Sequence, residues 1–404
     1  MASTLAAQPS FPATASPRQR PFLLSDLIYQ KHPSTAAVTM DTMYGVIERG
    51  NKIDIRNVHK NMWKFYIEDV NEVVGFVRDD IQKQMNWGPR FFHIQDKDAG
   101  GEYDMREITL MTSIPRFEGG KYPPAEACQN AFMQLFSDNR TRFPCMDRWL
   151  SKDDSAREFA PIHLSDPGRG FSIPLPVRGL LGVVTVGVHL NVYRVKQEGG
   201  KEIIDCIWVS HRATGPDFSY PGMLDQIVAG GVDCRDEIDG RLAPCKTLIR
   251  EAREEAGFTI NLENRQVFCS DDVGNTTLLG TVERVSEVTF YDCKDSSAGD
   301  LNKNHLEPGL RIVYDLKIIE PCFNPQGKEP GIERFEAMDV PQVIESLKAD
   351  RWKPNCGLVM LDFMVRHGLV TKANDSRFND IKRDLRRLLP FQFITEYKNI
   401  IKGW

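Results

Sequence analysis

The segment that decides the fold is residues 248–258, which reads LIREAREEAGF. It places Glu251, Glu254 and Glu255 three and four residues apart, so the three side chains share one face of a helix. The other face is small and apolar and can pack on a sheet; it consists of Leu248, Ile249, Ala252 and Ala256. Three neighbouring carboxylates repel one another unless a divalent cation or Arg250 offsets their charge, so the segment predicts a metal-binding helix. A solvated charged helix is the alternative interpretation.

A glycine-rich segment precedes this helix. Residues 228–231, read as VAGG, predict a buried strand that runs into a glycine turn, where a backbone carbonyl can join carboxylates around a cation. Strand, glycine loop and acidic helix together resemble the Nudix box of the Nudix hydrolases, G-x5-E-x7-R-E-U-x-E-E-x-G-U. The second half of the box matches position by position over residues 250–258.

The resemblance implies roles for these residues. In Nudix hydrolases the helical glutamates carry the metal, which implies that Glu254 and Glu255 are ligands and that Glu251 is a ligand or the catalytic base. Arg250 occupies the place of the arginine that orients these carboxylates, and the carbonyl of Gly231 is a further candidate ligand. The implied cofactor is Mg²⁺, with Mn²⁺ as an alternative, because such hard cations prefer oxygen ligands and phosphate.

The first half of the box does not match. The position that should hold its first glutamate is occupied by Leu242, and the glycine pair lies further upstream than the pattern allows, so the loop is longer. The inserted residues contain Asp236, Glu237 and Asp239, and any one of them is a candidate for the missing carboxylate. This departure affects the role expected of the loop and leaves the helix unchanged.

A second resemblance covers more of the chain. Residues 187–191 (GVHLN), 220–231 (YPGMLDQIVAGG) and 353–356 (KPNC) with 366–368 (RHG) are similar to the Nudix module of fungal thiamine pyrophosphokinase and related plant enzymes. Those proteins carry an additional N-terminal domain. The resemblance implies thiamine diphosphate or its oxidised forms as substrate.

Three further residues are candidates for the site. Glu333 lies where related Nudix proteins often carry another acid that reaches the metal, with Glu329 and Glu336 as competitors and a solvated acidic loop as the alternative. Trp208 and Arg212 lie four apart on a predicted strand and so face the same side, where they offer an aromatic surface and a cation for phosphate. Core packing is the alternative for Trp208.

Composition favours a soluble enzyme of two domains. The chain has 404 residues, 41% of them hydrophobic and 26% charged, and a net charge of −5 gives no general reason to bind nucleic acid or an anionic membrane. Nine cysteines without C-x-x-C spacing indicate reduced thiols in the cytoplasm. No apolar run is long enough for a membrane span. Residues 1–20 predict a disordered tail, with a weak organelle-targeting segment as the alternative.

The pattern of apolar runs predicts the organisation of the chain as α/β. A small α+β domain is expected over residues 21–165, a Nudix α/β/α sandwich with a mixed sheet over 166–375, and a helical tail over 376–404. Strands are expected at 181–195, 203–210, 285–291 and 310–318. Helices are expected at 125–136, 245–256, 340–348 and 355–366.

Three functions are compatible with these features. The leading hypothesis is Mg²⁺-dependent hydrolysis of a small-molecule diphosphate, with thiamine diphosphate or its oxidised forms as the expected substrate. The same fold is also compatible with a specialised role, in which a prenyl diphosphate is hydrolysed or a substrate is rearranged without hydrolysis. A non-catalytic binding module is the third hypothesis, although it has little reason to keep a repulsive trio of glutamates. The sequence does not indicate an oligomeric state.

Overall fold

The computed structural model describes residues 42–404 apart from 98–104, 115–120, 216–217, 234, 271–273, 321–322, 324 and 326–328. The predicted tail at 1–20 lies outside these ranges. Within them, no helix combines the length and the apolar character that a membrane crossing requires. The seven cysteines in the described part of the chain are free thiols, in line with the prediction.

The first half of the chain builds a small four-stranded sheet with helices around it. The strands lie in the order β2-β1-β4-β3, and β1 and β4 are parallel. Their bounds are β1 Met62–Ile67, β2 Gly75–Arg78, β3 Phe92–Lys97 and β4 Met105–Leu110. The helices of the first half are α1 Tyr44–Gly50, α2 Val58–Asn61, α3 Asp79–Gln84, α4 Pro124–Asn139 and α5 Pro144–Leu150. Val46 and Ile47 of α1 pack in a core of the second half and not on this small sheet. A short pair, β5 Phe159–Pro161 and β6 Ser172–Pro174, follows, and then α6 Leu175–Leu180.

The second half is built on a larger mixed sheet. Its long strands are β7 Thr185–Glu198, β8 Lys201–Arg212, β15 Thr276–Cys293 and β16 Leu306–Lys317, joined by the shorter β9 Leu224–Asp225, β10 Val228–Gly231, β13 Phe258–Ile260, β14 Gln266–Ser270 and β17 Ile332–Met338. A separate two-stranded hairpin consists of β11 Glu237–Ile238 and β12 Arg241–Leu242. The main strand order is β13-β14-β15-β16-β7-β8-β17, with β10 paired to β7 and β9 to β8. The β7–β16 pair is parallel and its neighbours are antiparallel, which makes the sheet mixed.

Helices cover both faces of this sheet. They are α7 Pro244–Glu255, α8 Val340–Lys348, α9 Pro354–Arg366, α10 Phe378–Asp384 and α11 Gln392–Ile400. Because side chains alternate along a strand, Val188 and Leu190 pack toward the face that holds α7 and α11, whereas Ile207 and Val209 of β8 pack with α8 and α9. The predicted α/β class with a mixed sheet is therefore confirmed, and the sheet between two helical layers is the predicted sandwich.

Most predicted elements of the second half are present with small shifts of their ends. β8, β15 and β16 are longer than predicted, because polar residues continue the ladders beyond the apolar runs, whereas β7 begins at Thr185, four residues after its predicted start. The domain bounds themselves stay a prediction. Phe171, Ile173 and Val177 belong to the core of the first sheet, so the packing boundary lies beyond the expected division at residue 165. The C-terminal helix α11 contributes Phe393 to the core of the larger sheet.

Candidate metal and phosphate site

The helix α7 brings the predicted glutamates to the glycine strand β10. The helix begins at Pro244, where proline is favoured because its missing N–H has no intrahelical partner. Leu248 and Ala252 are fully buried against the sheet and fix the rotation of the helix. Gly257 follows in the left-handed region at φ +67°, which ends it. The acidic face is thereby turned partly toward β10 and partly toward solvent.

Glu255 is the most enclosed of the three glutamates. Its carboxylate accepts a hydrogen bond of 2.8 Å from the backbone N–H of Ala229 in β10. Among the described residues no cation lies within ion-pair distance of it. Burial raises the pKa of Glu255 to about 8, and the hydrogen bond from Ala229 only partly opposes this rise. The ionised form of the Glu255 carboxyl group therefore has no neighbouring positive charge to stabilise it.

Glu251 lies directly against the glycine strand. A side chain at Gly230 would overlap its carboxyl group, so glycine is required there for the glutamate to approach the backbone. Burial raises the pKa of Glu251, although Arg250 opposes the rise. The Arg250 guanidinium donates to Glu251 at 2.7 Å and lies 3.4 Å from Glu254, which is the exposed member of the trio. Arg250 thus contacts two of the predicted ligands, as expected for an orienting cation.

One acidic residue of the lengthened loop, Asp236, contacts this helix. Its carboxylate accepts from Thr247 at 2.8 Å and from Arg250 at 3.2 Å. Glu237 instead pairs with Leu242 across the short hairpin and its side chain is exposed, while Asp239 forms an ion pair with Lys402. Of the three candidate replacements, Asp236 is therefore the one in contact with the site, and it acts through Arg250.

Two other predicted ligands are placed less favourably. Glu333 is exposed on β17, and the acid whose charge acts on both Glu251 and Glu255 is its competitor Glu329. A side chain at Gly231 would meet open space, so the glycine in contact with the glutamates is Gly230 and not Gly231. Glu329 is itself exposed, so the role of Glu333 stays a prediction with Glu329 as its competitor. The carbonyl of Gly231 stays a predicted ligand.

A buried ion-pair cluster lies beside the glutamates. The Asp225 carboxylate is 3.1 Å from the Arg212 guanidinium and 3.4 Å from the Lys353 ammonium group. Burial alone would raise the pKa of Asp225, but Lys353 and Arg212 outweigh it and hold the pKa below its usual value. The charge of Asp225 also acts on Glu255. Arg212 therefore stands near the acidic helix, in a position compatible with its predicted role toward phosphate.

Sequence reasoning missed Asp225 and Lys353 as members of this cluster. Both lie within the segments 220–231 and 353–356 that carry the second resemblance, and that was the available signal. The three residues belong to different elements: Arg212 ends β8, Asp225 ends β9 and Lys353 precedes α9. Their meeting depends on the pairing of β8 with β9 and on the docking of α9, which local spacing cannot show.

Trp208 does not form a substrate surface in this structure. It is 4% exposed and packs edge-on against Phe323 at 5.1 Å between ring centroids. The predicted alternation is correct, since Trp208 and Arg212 face the same side of β8. The side chain is nevertheless covered, which favours the core-packing alternative.

A group of three other ligand-type side chains also converges. In the described ranges, His189, Asp225 and Cys356 bring one ligand atom each within 4.8 Å of one another, whereas the helix glutamates are more widely spread. Burial lowers the pKa of His189 to about 3 and raises the pKa of Cys356 well above 9, so both groups are neutral. Asp225 is already balanced by two cations. A cation at this group would therefore have to compete with Arg212 and Lys353 for Asp225.

The helix glutamates fit a hard divalent cation better. They supply only oxygen donors, and the enclosed Glu255 lacks a counter-charge that a cation would provide. Glu251 and Glu254 are turned toward Arg250, so a bound cation would share these carboxylates with the arginine. Glu251, Glu254 and Glu255 are the residues that would hold such an ion.

Comparison with known proteins finds relatives that match about half of the chain. The chain is 30% identical over 218 residues to an uncharacterized protein of Saccharomyces cerevisiae, a match that covers 53% of this chain and 56% of the yeast protein. It is 28% identical over 217 residues to Nudix hydrolase 20, chloroplastic, of Arabidopsis thaliana, which covers 54% of this chain and 48% of the plant protein. Nudix hydrolase 24, chloroplastic, of the same plant is 26% identical over 217 residues, with coverages of 54% and 49%. The chain thus spans about half the length of the curated relatives it matches.

Solved structures give a weaker likeness. The NUDIX domain of Shewanella oneidensis NrtR complexed with ADP ribose has 8% identity and a TM-score of 0.29, with coverages of 55% of this chain and 97% of that one. A C. elegans Ap4A hydrolase has 16% identity and a TM-score of 0.26, with coverages of 45% and 98%. No protein-family profile matches the chain. The chain is thus similar in sequence, over about half of its length, to two proteins named as Nudix hydrolases.

Proposed function

We propose that the chain is a divalent-cation-dependent hydrolase of a small organic diphosphate, and that thiamine diphosphate or its oxidised forms are the substrate. The observation that carries the proposal is Glu255, an enclosed carboxyl group without a cation partner among the described residues, beside the second enclosed carboxyl of Glu251. Holding two acids in such a place costs free energy that a bound divalent cation would offset. Mg²⁺ is the proposed ion and Mn²⁺ the alternative.

Glu251 and Arg250 have separate roles in the proposed hydrolysis. When bound, the cation neutralises the diphosphate charge and lowers the pKa of bound water. Glu251 is the proposed acceptor of the proton from the attacking water, because its enclosed carboxyl group has a raised pKa. Arg250 limits this rise and fixes the direction of the carboxylate.

The ion-pair cluster supplies the positive charge for the phosphate groups. Asp225 uses one side of Arg212 and Lys353, and a guanidinium has five N–H donors, so donors are left for phosphate oxygens. In the balanced reaction a new bond forms between the water oxygen and phosphorus while the bridging P–O bond breaks. One proton leaves the water, and the products are the organic monophosphate and inorganic phosphate.

The thiamine assignment rests on the segments 187–191, 220–231 and 353–356. Two of these segments contribute Asp225 and Lys353 to the cluster next to Glu255, which is a reason to connect them with substrate binding. The lengthened loop does not argue against hydrolysis, because its Asp236 carboxylate accepts a hydrogen bond of 3.2 Å from Arg250.

A panel of substrates tests the proposal. Release of inorganic phosphate is measured with thiamine diphosphate, oxidised thiamine diphosphate and a prenyl diphosphate, and release of AMP is measured with ADP-ribose, each with Mg²⁺ and with EDTA. We expect metal-dependent release that is fastest from a thiamine-type diphosphate. Faster release from the prenyl diphosphate would shift the substrate to the specialised alternative. Binding of these compounds without release of phosphate or AMP from any of them would overturn hydrolysis in favour of a binding module.

A further inference from the structure

A cavity lies between the two halves of the molecule, away from the helix glutamates. Its volume is about 320 Å³. One wall comes from α5 and α6 of the first half, including Trp149 and Arg178. The opposite wall comes from the segment between β15 and β16, including Lys294, and from the start of β16, including Glu307. This volume lies at the small end of the range typical of ligand pockets.

The cavity carries an excess of positive charge. Its one buried acid, Glu307, is already engaged: it accepts from Arg311 at 2.6 Å and lies 3.3 Å from Lys294. Burial alone would raise the pKa of Glu307, but these cations outweigh it and hold the pKa low, so the acid is ionised and balanced. Arg148 and Lys152 add further positive charge to the lining.

Arg178 is the partly buried cation of the lining that lacks an ion pair among the described residues. Its guanidinium is half-buried and makes no hydrogen bond or ion pair with any residue that the structure describes. Burial lowers its pKa, and the charge of Glu307 only partly opposes this effect. Since Glu307 is shared by Arg311 and Lys294, it cannot also balance Arg178.

An unpaired guanidinium in such a place needs an explanation. The nitrogens of the Arg178 guanidinium are not among the fully buried polar atoms that lack a partner, so they are accessible to an anion in the cavity. The planar fork of an arginine matches the two oxygens of a phosphate or carboxylate. Burial lowers the pKa of His305 in the same lining to about 3, so this neutral ring adds hydrogen-bonding capacity without charge.

The cavity borders the elements that carry the acidic site. Thr185 lines it and accepts from Arg311 at 3.0 Å, and Gly187, two residues further along β7, pairs with Gly231. Two residues of a strand span roughly 7 Å. At the other end Ser219 lines the cavity, and its carbonyl accepts from Arg212 at 2.8 Å. A small molecule in the cavity therefore lies close to the glutamate site and outside it.

We propose that this cavity binds the phosphate or carboxylate group of a small organic molecule, with Arg178 as its main partner. The site is distinct from the proposed metal site and requires no metal. The anion belongs either to a second acidic group of the substrate or to a separate small ligand. A cationic ring such as a thiazolium is not stabilised there, so in thiamine diphosphate that ring lies outside this cavity.

Inorganic phosphate is the probe that tests the site. Its binding to the full chain is measured by calorimetry in EDTA, and its effect on the melting temperature is followed in parallel, because a ligand of the folded state raises it. We expect phosphate to bind without metal and Arg178→Gln to weaken this binding at least tenfold. Arg178→Lys should lose less of the affinity for phosphate, because it keeps the positive charge. Arg351→Gln, which removes an exposed arginine that does not line the cavity, is the matched control and should bind like the wild type.

The same variants separate this proposal from the proposed hydrolysis. Glu255→Gln should lose turnover and keep metal-independent phosphate binding. Arg178→Gln should melt no lower than the wild type, because it removes an unpaired charge; if it fails to fold, Arg178→Met replaces it. Phosphate that raises the KM of the diphosphate substrate identifies the anion as part of the substrate, and phosphate that changes kcat identifies a separate ligand. Absence of metal-independent binding, or equal binding by Arg178→Gln, overturns the proposal.

Discussion

Replacing Glu255 by glutamine should make the metal-free protein more stable at alkaline pH. The pKa of Glu255 is about 8, against an ordinary value of 4.5. The folded state therefore keeps a proton on this group between those values while the unfolded chain has lost it, so the free energy of unfolding falls as pH rises from 4.5 to 8. At about 1.4 kcal/mol per pKa unit the loss is at most about 5 kcal/mol, and residual solvent exposure reduces it. Glutamine has no charge to desolvate and its carbonyl can still accept from Ala229.

Urea unfolding in EDTA at about pH 5 and about pH 8.5 measures this difference. We expect Glu255→Gln to exceed the wild type by several kcal/mol at the higher pH and by much less at the lower one. Glu345→Gln is the control, since it changes an exposed glutamate on α8 in the same way. An equal difference between variant and wild type at both pH values would refute the reasoning, because the enclosed carboxyl group would then not titrate as described.

Three further predictions concern the surroundings of this group. Gly230→Ala should lower turnover at least roughly tenfold because the new methyl group displaces the Glu251 carboxylate, whereas Gly231→Ala, which meets open space, should have little effect on Mg²⁺-dependent turnover. Asp236→Asn should raise the Mg²⁺ concentration needed for half-maximal turnover several-fold by freeing Arg250, while Glu237→Gln should leave that concentration unchanged; equal effects of the two would contradict the contact seen here. Leu242→Ala should cost roughly 2–4 kcal/mol in the free energy of unfolding without changing Mg²⁺ dependence, and a shift in that dependence would count against a packing role.

Local spacing was sufficient to predict the acidic helix, because the helical period can be read from the positions of Glu251, Glu254 and Glu255 alone. The same holds for the alternation of β8, which correctly places Trp208 and Arg212 on one face. Whether a face is covered depends on distant residues, and Phe323 covers Trp208.

The contacts that complete the site could not be predicted from spacing. Asp236 returns to Arg250 only because the hairpin register pairs Glu237 with Leu242 and sends the neighbouring side chain back to the helix. Arg178 lines a cavity formed by residues from both halves of the chain. The way in which the two halves pack together cannot be predicted from local sequence patterns.

The rate of phosphate release from thiamine diphosphate as a function of Mg²⁺ concentration tests the central claim most directly. Wild type and Glu255→Gln are compared, with folding of the variant checked by its melting temperature. We expect the rate of phosphate release by the wild type to saturate with Mg²⁺. In Glu255→Gln the rate should fall by at least roughly two orders of magnitude, because a charge that stabilises the transition state is removed. Near-wild-type release by a folded Glu255→Gln at saturating Mg²⁺ would contradict the claim that this helix forms the catalytic metal site.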